Sequence, residues 1–383
     1  MQPRGVIRSV PEDFVVEEIP SYLPSGEGEH LYVLFEKIGR TTDDVVREMA
    51  RRLGIRPDGV GVAGMKDRHA RTIQRVSLPV PPRTEGFDEK VLGLDLPNVR
   101  ILDATRHGNK LKTGHLRGNR FRLRIRKVPT GAIADARARF EKLAREGVPN
   151  AYGTQRFGRE GDNAEYALKF LRGETEGPRD PKKRRFLFSA LQSSIFNRVL
   201  QARIADGTWN TALAGDLLSR ERKVLAGEDD DTRGALFLCE DPVADAARAL
   251  EGEVSPTGPI PGVSMKRPGG AVATLEDSIT QEVVGGNFDW ARAKSLGEGT
   301  RRPLRLWIED LEIPAKAEPL TDNEGATQLQ TEEADMQVAF VLPKGAYATT
   351  VLAAVFELSD GHGEEPDDDR NRSTETPRKS EGI

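Results

Sequence analysis

The chain has 383 residues, of which 37% are hydrophobic and 31% charged, with a net charge of −4. That length predicts two domains, the composition is that of a globular protein, and no run of about 18 apolar residues offers a membrane span. Cys239 is the only cysteine, which excludes an intrachain disulfide and cysteine-based zinc sites, and the N-terminus lacks the apolar core of a signal peptide, so a cytoplasmic protein is expected.

Val6 to Glu18 reads as a short strand and turn, and Leu31 to Phe35 as a second strand after the loop Ser25–Glu29. Thr41 or Thr42 can cap a helix that carries Val45, Val46, Met49 and Leu53 on one face, with Gly54 as its stop. The glycine-spaced run Gly59–Gly64 reads as strand and leads into Met65-Lys66-Asp67-Arg68-His69, and Arg75–Pro79 reads as a returning strand. Phe121 to Arg126 alternates with period two. Phe121, Leu123 and Ile125 share one face and Arg122, Arg124 and Arg126 the other. Ala132–Arg145 is helical and closes an α+β unit.

Helices are predicted at Asp162–Leu171 and Phe186–Ala205, with Pro178 and Pro181 breaking the chain between them. Gly227–Asp231 is an acidic loop, and Pro256–Gly270 is a Pro/Gly-rich stretch. Strand-like patterning returns only at Leu304–Ile308 and Ala334–Leu342, followed by an apolar helix or strand at Val351–Phe356. From Asp360 onward eight acids outweigh four bases, a balance of −4 that leaves the body near neutral. That tail has a single hydrophobic residue, Ile383, and is expected to be disordered. Between Arg106 and Lys127 stand nine Lys or Arg residues and no acid, the footprint of a polyanion partner.

Asp67 sits among Lys66, Arg68, His69 and Arg71. Neighbouring cations favour the charged form of a carboxylate, and a positioned carboxylate can serve as nucleophile or base. Gly59-Val60-Gly61-Val62-Ala63-Gly64 matches G-x-G-x-x-G, but its glycines fall inside the strand-like run rather than at a helix start, so no nucleotide cofactor is expected. The P-loop pattern fails at Met65 and Asp67, and the five histidines show no ligand spacing, so no metal is expected. Asn119 offers a donor and an acceptor to a base edge, and Phe121 a stacking face or a core residue.

Together these segments resemble the TruD family of transfer-RNA pseudouridine synthases. The matching pieces are Pro11–Phe14, Gly26–His30, Ala63–Asp67 with Thr72 and Gln74, Gly118–Phe121, Val148–Gly158, Ser189-Ala190 with Ser194–Asn197, and Leu342–Thr349, seven segments in family order. The Pro343–Thr349 variant has an archaeal cast. Ala151 and Ala353-Ala354 depart from the family pattern.

The resemblance implies a pseudouridine synthase fold: a central mixed, mainly antiparallel sheet flanked by helices, with an inserted family-specific α/β domain. The catalytic domain would comprise residues 1–152 and 303–360, the insertion 153–302 and the acidic tail 361–383. It implies Asp67 as the catalytic aspartate and Phe14, Asn119, Phe121, Tyr347, Arg8 and Lys66 around the target nucleotide. Arg122, Arg124, Arg126, Lys182, Lys183 and Arg184 would hold the RNA backbone. The reaction implied is isomerisation of uridine to pseudouridine, at position 13 of the D arm, with transfer RNA as partner, no cofactor and no obligate protein partner. Without the resemblance, a non-catalytic RNA-binding or chaperone protein would use the same basic surface, and Asp67 is what separates the two.

Overall fold

The computed structural model describes residues 2–82, 84–158, 160–221, 235–286, 288–314 and 332–361. The expected acidic loop at 227–231 and the tail from residue 362 lie outside the described residues. The chain opens with β1 (Arg4–Ile7), β2 (Phe14–Pro20) and β3 (His30–Ile38). Helix α1 (Thr42–Leu53) follows. Thr41 caps it by accepting from the Asp44 amide at 3.1 Å, and Gly54 ends it in the left-handed region at φ 71°. Then come β4 (Gly61–Val62), β5 (Arg71–Pro79), α2 (Phe87–Leu92), β6 (Val99–His107), β7 (Leu116–Pro129), α3 (Ile133–Glu146) and β8 (Val148–Pro149). The middle of the chain holds α4 (Asn163–Leu171), α5 (Pro181–Ala205), β9 (Leu217–Arg220), β10 (Leu236–Leu238), α6 (Pro242–Leu250), β11 (Val254–Ile260), α7 (Gly270–Val284) and β12 (Thr300–Pro303). It finishes with β13 (Arg305–Leu306), β14 (Glu309–Glu312), β15 (Glu333–Pro343), α8 (Ala348–Ala353) and β16 (Glu357–Asp360). No helix among the described residues is long and apolar enough to cross a membrane.

A ten-stranded mixed sheet runs β14-β15-β7-β2-β5-β3-β6, with β1, β16 and β4 at its margins. The pairs β2–β5 and β1–β16 are parallel, and the rest are antiparallel. All its strands come from residues 4–129 and 309–360, whereas a second sheet, β10-β9-β11-β12, is built entirely from residues 217–303. The short pair β8–β13 joins Val148 to Leu306 where the chain leaves and returns. One core packs Phe121, Leu123 and Ile125 of β7 with Phe14 and Val16 of β2, Phe140 of α3 and Val351 of α8. A second packs β3 and β5 against α1 and α2.

The alternation expected in 121–126 holds from Phe121 to Arg126 and breaks at Lys127, but the arginines have company. Arg126 makes a bidentate pair with Asp13 at 2.8 Å, Arg122 meets Glu17 at 3.2 Å, and Arg124 and Arg126 lie 3.7 and 3.6 Å from Asp335. They project from the face opposite Phe121, Leu123 and Ile125.

Strand patterning was expected to return only at Leu304, yet β9, β10, β11 and β12 precede it, and other features depart from the sequence reading as well. Pro181 does not break the chain: it occupies the first turn of α5, where a missing N–H costs nothing, behind an Asp180 cap. Strand β11 was hidden by Pro256 and Pro259, yet it lies between β9 and β12, and the Pro256 carbonyl still accepts from Leu304 at 2.9 Å. The glycine-spaced run yields only the two-residue β4. A Cβ on Gly61 would fall 2.2 Å from the Leu111 carbonyl oxygen, so glycine there serves close backbone approach rather than phosphate binding.

Candidate active site

Phe14, Val16 and Glu18 alternate onto one face of β2, and Asn119 and Phe121 of β7 share that face, Asn119 standing opposite Glu18. Over it runs the loop from Ala63 to Ala70 that carries Asp67. Three contacts fix this loop from within. The Lys66 amide donates to Thr42 Oγ1 at 2.9 Å, and Thr42 donates to Gln74 Oε1 at 3.0 Å. Lys66 Nζ meets Glu18 Oε2 at 2.9 Å, with the two side chains only 7% and 3% exposed. Lys37 of β3, fully buried, donates from Nζ to the Asp67 carbonyl oxygen at 2.8 Å. Burial pushes the Lys37 ammonium down to about 8, against the opposing pull of Asp67.

So pinned, the Asp67 side chain stands 62% exposed, with Arg8 Nη2 at 3.3 Å from its Oδ2. Arg8 is itself buried, adopts φ 57°, lies over the Phe14 ring at 4.5 Å, and extends Nη1 to Asp360 Oδ2 at 3.4 Å. Phe14 meets Phe121 edge to face at 6.3 Å. Both rings are buried, so they form the floor under Arg8 rather than an open platform. Asn119 Oδ1 is buried without a partner.

Arg8, which holds Asp67, also lines a cavity of about 430 Å³. Asp360 of β16 and Tyr347 line it too, together with Tyr152, Arg156 and Phe186. Tyr347, the residue before α8, is 49% exposed. The Tyr152 backbone is clamped by Asn197 of α5, whose Oδ1 accepts from its amide at 2.8 Å and whose Nδ2 donates to its carbonyl at 2.9 Å. Arg302 lies over the Tyr152 ring at 4.2 Å, and burial lowers its guanidinium from the ordinary value. Lys182, Lys183 and Arg184, exposed at the start of α5, stand a turn or less from Phe186.

The structure therefore brings together Asp67, Arg8, Phe14, Asn119, Phe121 and Tyr347. It places Lys66 in a buried pair with Glu18, and Arg122, Arg124 and Arg126 across the sheet among carboxylates. Lys37, Asp360, Tyr152, Arg156 and Phe186 were not singled out as site residues in the sequence. Lys37 had a signal: in Leu31-x-Val33-x-Phe35-x-Lys37 it occupies the inward register of an apolar strand.

The sequence model of the family tRNA pseudouridine synthase D (TruD) matches residues 2–177 and 180–355. A tRNA pseudouridine synthase D of Anaeromyxobacter dehalogenans is 42% identical over 369 residues, covering 95% of each chain. One of Thermus thermophilus is 39% identical over 354 residues, covering 92% of this chain and 89% of its own. The solved structure of a candidate tRNA pseudouridine synthase D from Methanosarcina mazei superposes with a TM-score of 0.70 at 23% identity, covering 94% of this chain and 95% of that one.

Proposed function

Since the chain belongs to the tRNA pseudouridine synthase D (TruD) family, we propose that Asp67 is its catalytic carboxylate and that the cavity lined by Arg8 receives uridine 13 of the D arm. The protein is a pseudouridine synthase, an isomerase acting on uridine in transfer RNA. Its substrate assigns it to the cytoplasm. The observation that carries the site assignment is Asp67 itself: an exposed carboxylate on a loop anchored by Lys37, Lys66 and Thr42, paired with the Arg8 that lines a cavity holding the exposed rings of Tyr347 and Phe186.

In the reaction the N1–C1′ bond breaks, the uracil turns, and C5 bonds to C1′. The proton on C5 is lost and N1 ends protonated, so atoms and oxidation state balance with no added reagent. A base stacked in a helix is first extruded, at about a few kcal/mol. Tyr347 supplies the exposed ring to receive it, a stacking worth about 1–3 kcal/mol. Asn119 reads the base edge. Arg8 holds Asp67 by Oδ2, which leaves the other carboxylate oxygen for attack on the sugar or removal of a ribose proton. Lys182, Lys183 and Arg184 hold the backbone next to Phe186, which lines the cleft together with Arg156.

The test is tritium release from transfer RNA carrying 5-tritiated uridine. Wild type should release it and Asp67→Asn should not, with similar RNA affinity. Release by Asp67→Asn at a rate near wild type sinks the assignment.

A further inference from the structure

Among the described Phe, Tyr and Trp residues only Tyr347 and Phe186 are exposed over more than a third of their surface, at 49% and 45%. A lone exposed phenylalanine needs no explanation. These two line one cavity and come from different elements, Tyr347 at the start of α8 and Phe186 near the start of α5. Between Phe186 and Tyr152 lies the Arg156 guanidinium, 6.0 Å from the first ring and 5.3 Å from the second, steadied by Ser189 Oγ at 3.4 Å. The next cations along α5 are Lys182 to Arg185, all exposed. An open ring flanked by cations is what a sequence-tolerant stacking site for single-stranded nucleic acid requires. At about 430 Å³ the cavity is in the range of pockets that enclose whole ligands.

We infer that Phe186 is the stacking platform for a second unpaired base, that of a nucleotide adjacent to the target uridine in the same strand, with Arg156 on its phosphate. This rests on the reading of Asp67 and Tyr347 as the target side of the cleft. Two bases, not one, then leave the stack. The enzyme selects RNA in which the target and a neighbour are both unpaired, whatever the identity of that neighbour.

The experiment measures affinity of the full chain for transfer RNA and for the same RNA with an abasic ribose on the 5′ or the 3′ side of the target. Phe186→Ala should bind the intact RNA about 5- to 150-fold more weakly, and Phe186→Trp should bind it as wild type does. At one of the two positions the abasic RNA should weaken wild type by a similar factor and leave Phe186→Ala nothing further to lose. Equal affinity of Phe186→Ala and wild type for intact RNA overturns the inference. So does a loss on abasic substitution that is the same for both proteins at both positions. Affinity is read without catalysis, so inactivity of wild type or activity of Asp67→Asn would undo the Asp67 assignment and leave this outcome legible.

Discussion

Lys37 is buried completely, and its ammonium reaches the carbonyl oxygen of Asp67 at 2.8 Å. An ammonium in that position is costly. Its descent from 10.5 to about 8, at about 1.4 kcal/mol per unit, corresponds to roughly 3 kcal/mol of stability forgone at neutral pH. The sign follows from proton counts. Between about 8 and 10.5 the unfolded chain binds more protons than the folded one, so stability rises with pH across that window and is level below it. Lys37→Met removes the charge and keeps much of the stem. It also leaves the Asp67 carbonyl without its donor, a loss of about 1–3 kcal/mol. The two effects nearly cancel, so thermal stability at pH 7 should be unchanged or higher, and the rise above pH 8 should flatten. Catalysis should not be spared. Displacement of a reacting group by about 1 Å costs on the order of 100-fold, so tritium release should fall about tenfold to a hundredfold in kcat while KM is held. Thermal unfolding from pH 6.5 to 10.5 and single-turnover tritium release check both halves. Destabilisation by several kcal/mol at pH 7 would show that the ammonium is a net support. A stable, fully active variant would show that the loop needs no such anchor.

Glu18→Gln should cost about 3–5 kcal/mol, because it leaves the Lys66 ammonium buried without its counter-ion; a shift in denaturant midpoint worth under 1 kcal/mol would contradict this. The double change Glu18→Gln with Lys66→Met should recover much of that loss. Replacing Lys182, Lys183 and Arg184 with alanine should lower the dependence of log affinity on log salt by about two to three, since each phosphate contact contributes just under one; an unchanged slope removes them from the RNA path. Burial first, and then the neighbouring Asp245, push the Cys239 thiol up to about 12, so a thiol reagent at pH 8 should label the native protein only on unfolding.

Much of this architecture was legible where local chemistry and tertiary packing agree. The Thr41 cap, the Gly54 stop and the apolar face of α1 all point the same way, and the structure repeats them. The Phe121–Arg126 alternation was equally plain. Strand β11 was not, because Pro256 and Pro259 remove its ladder donors and only its burial between two partners makes it a strand. Site residues divide in the same way. Asp67, Asn119 and Tyr347 fall in segments that the family resemblance marks, and Arg8 stands just before the first of them, at Pro11. Asp360 does not: it reaches Arg8 only because β16 lies parallel to β1 with Asp360 opposite Ile7, a pairing of residues at the two ends of the fold. Phe186 reads from sequence as one more apolar residue of an amphipathic helix, and only its exposure sets it apart.

Charge shows the same division most sharply. Counted along the chain, 106–127 is a cationic block without an acid. In space, cross-strand neighbours supply the acids: Asp13, Glu17, Asp310 and Asp335 come from segments far away in sequence. The pairing distances then separate two kinds of arginine. Arg126 holds Asp13 through two bonds of 2.8 Å, the length of a strong charge-assisted pair, and that geometry leaves little for a ligand to take. Arg8 is divided between Asp67 at 3.3 Å and Asp360 at 3.4 Å, beyond that length to both, and its left-handed backbone adds about 1–3 kcal/mol of strain. A cation held tightly by one carboxylate belongs to the framework. A cation shared loosely by two, at a cavity rim and stacked on a buried ring, can shift its grip when substrate arrives. By that measure the site is written less in the density of positive charge than in its incomplete satisfaction.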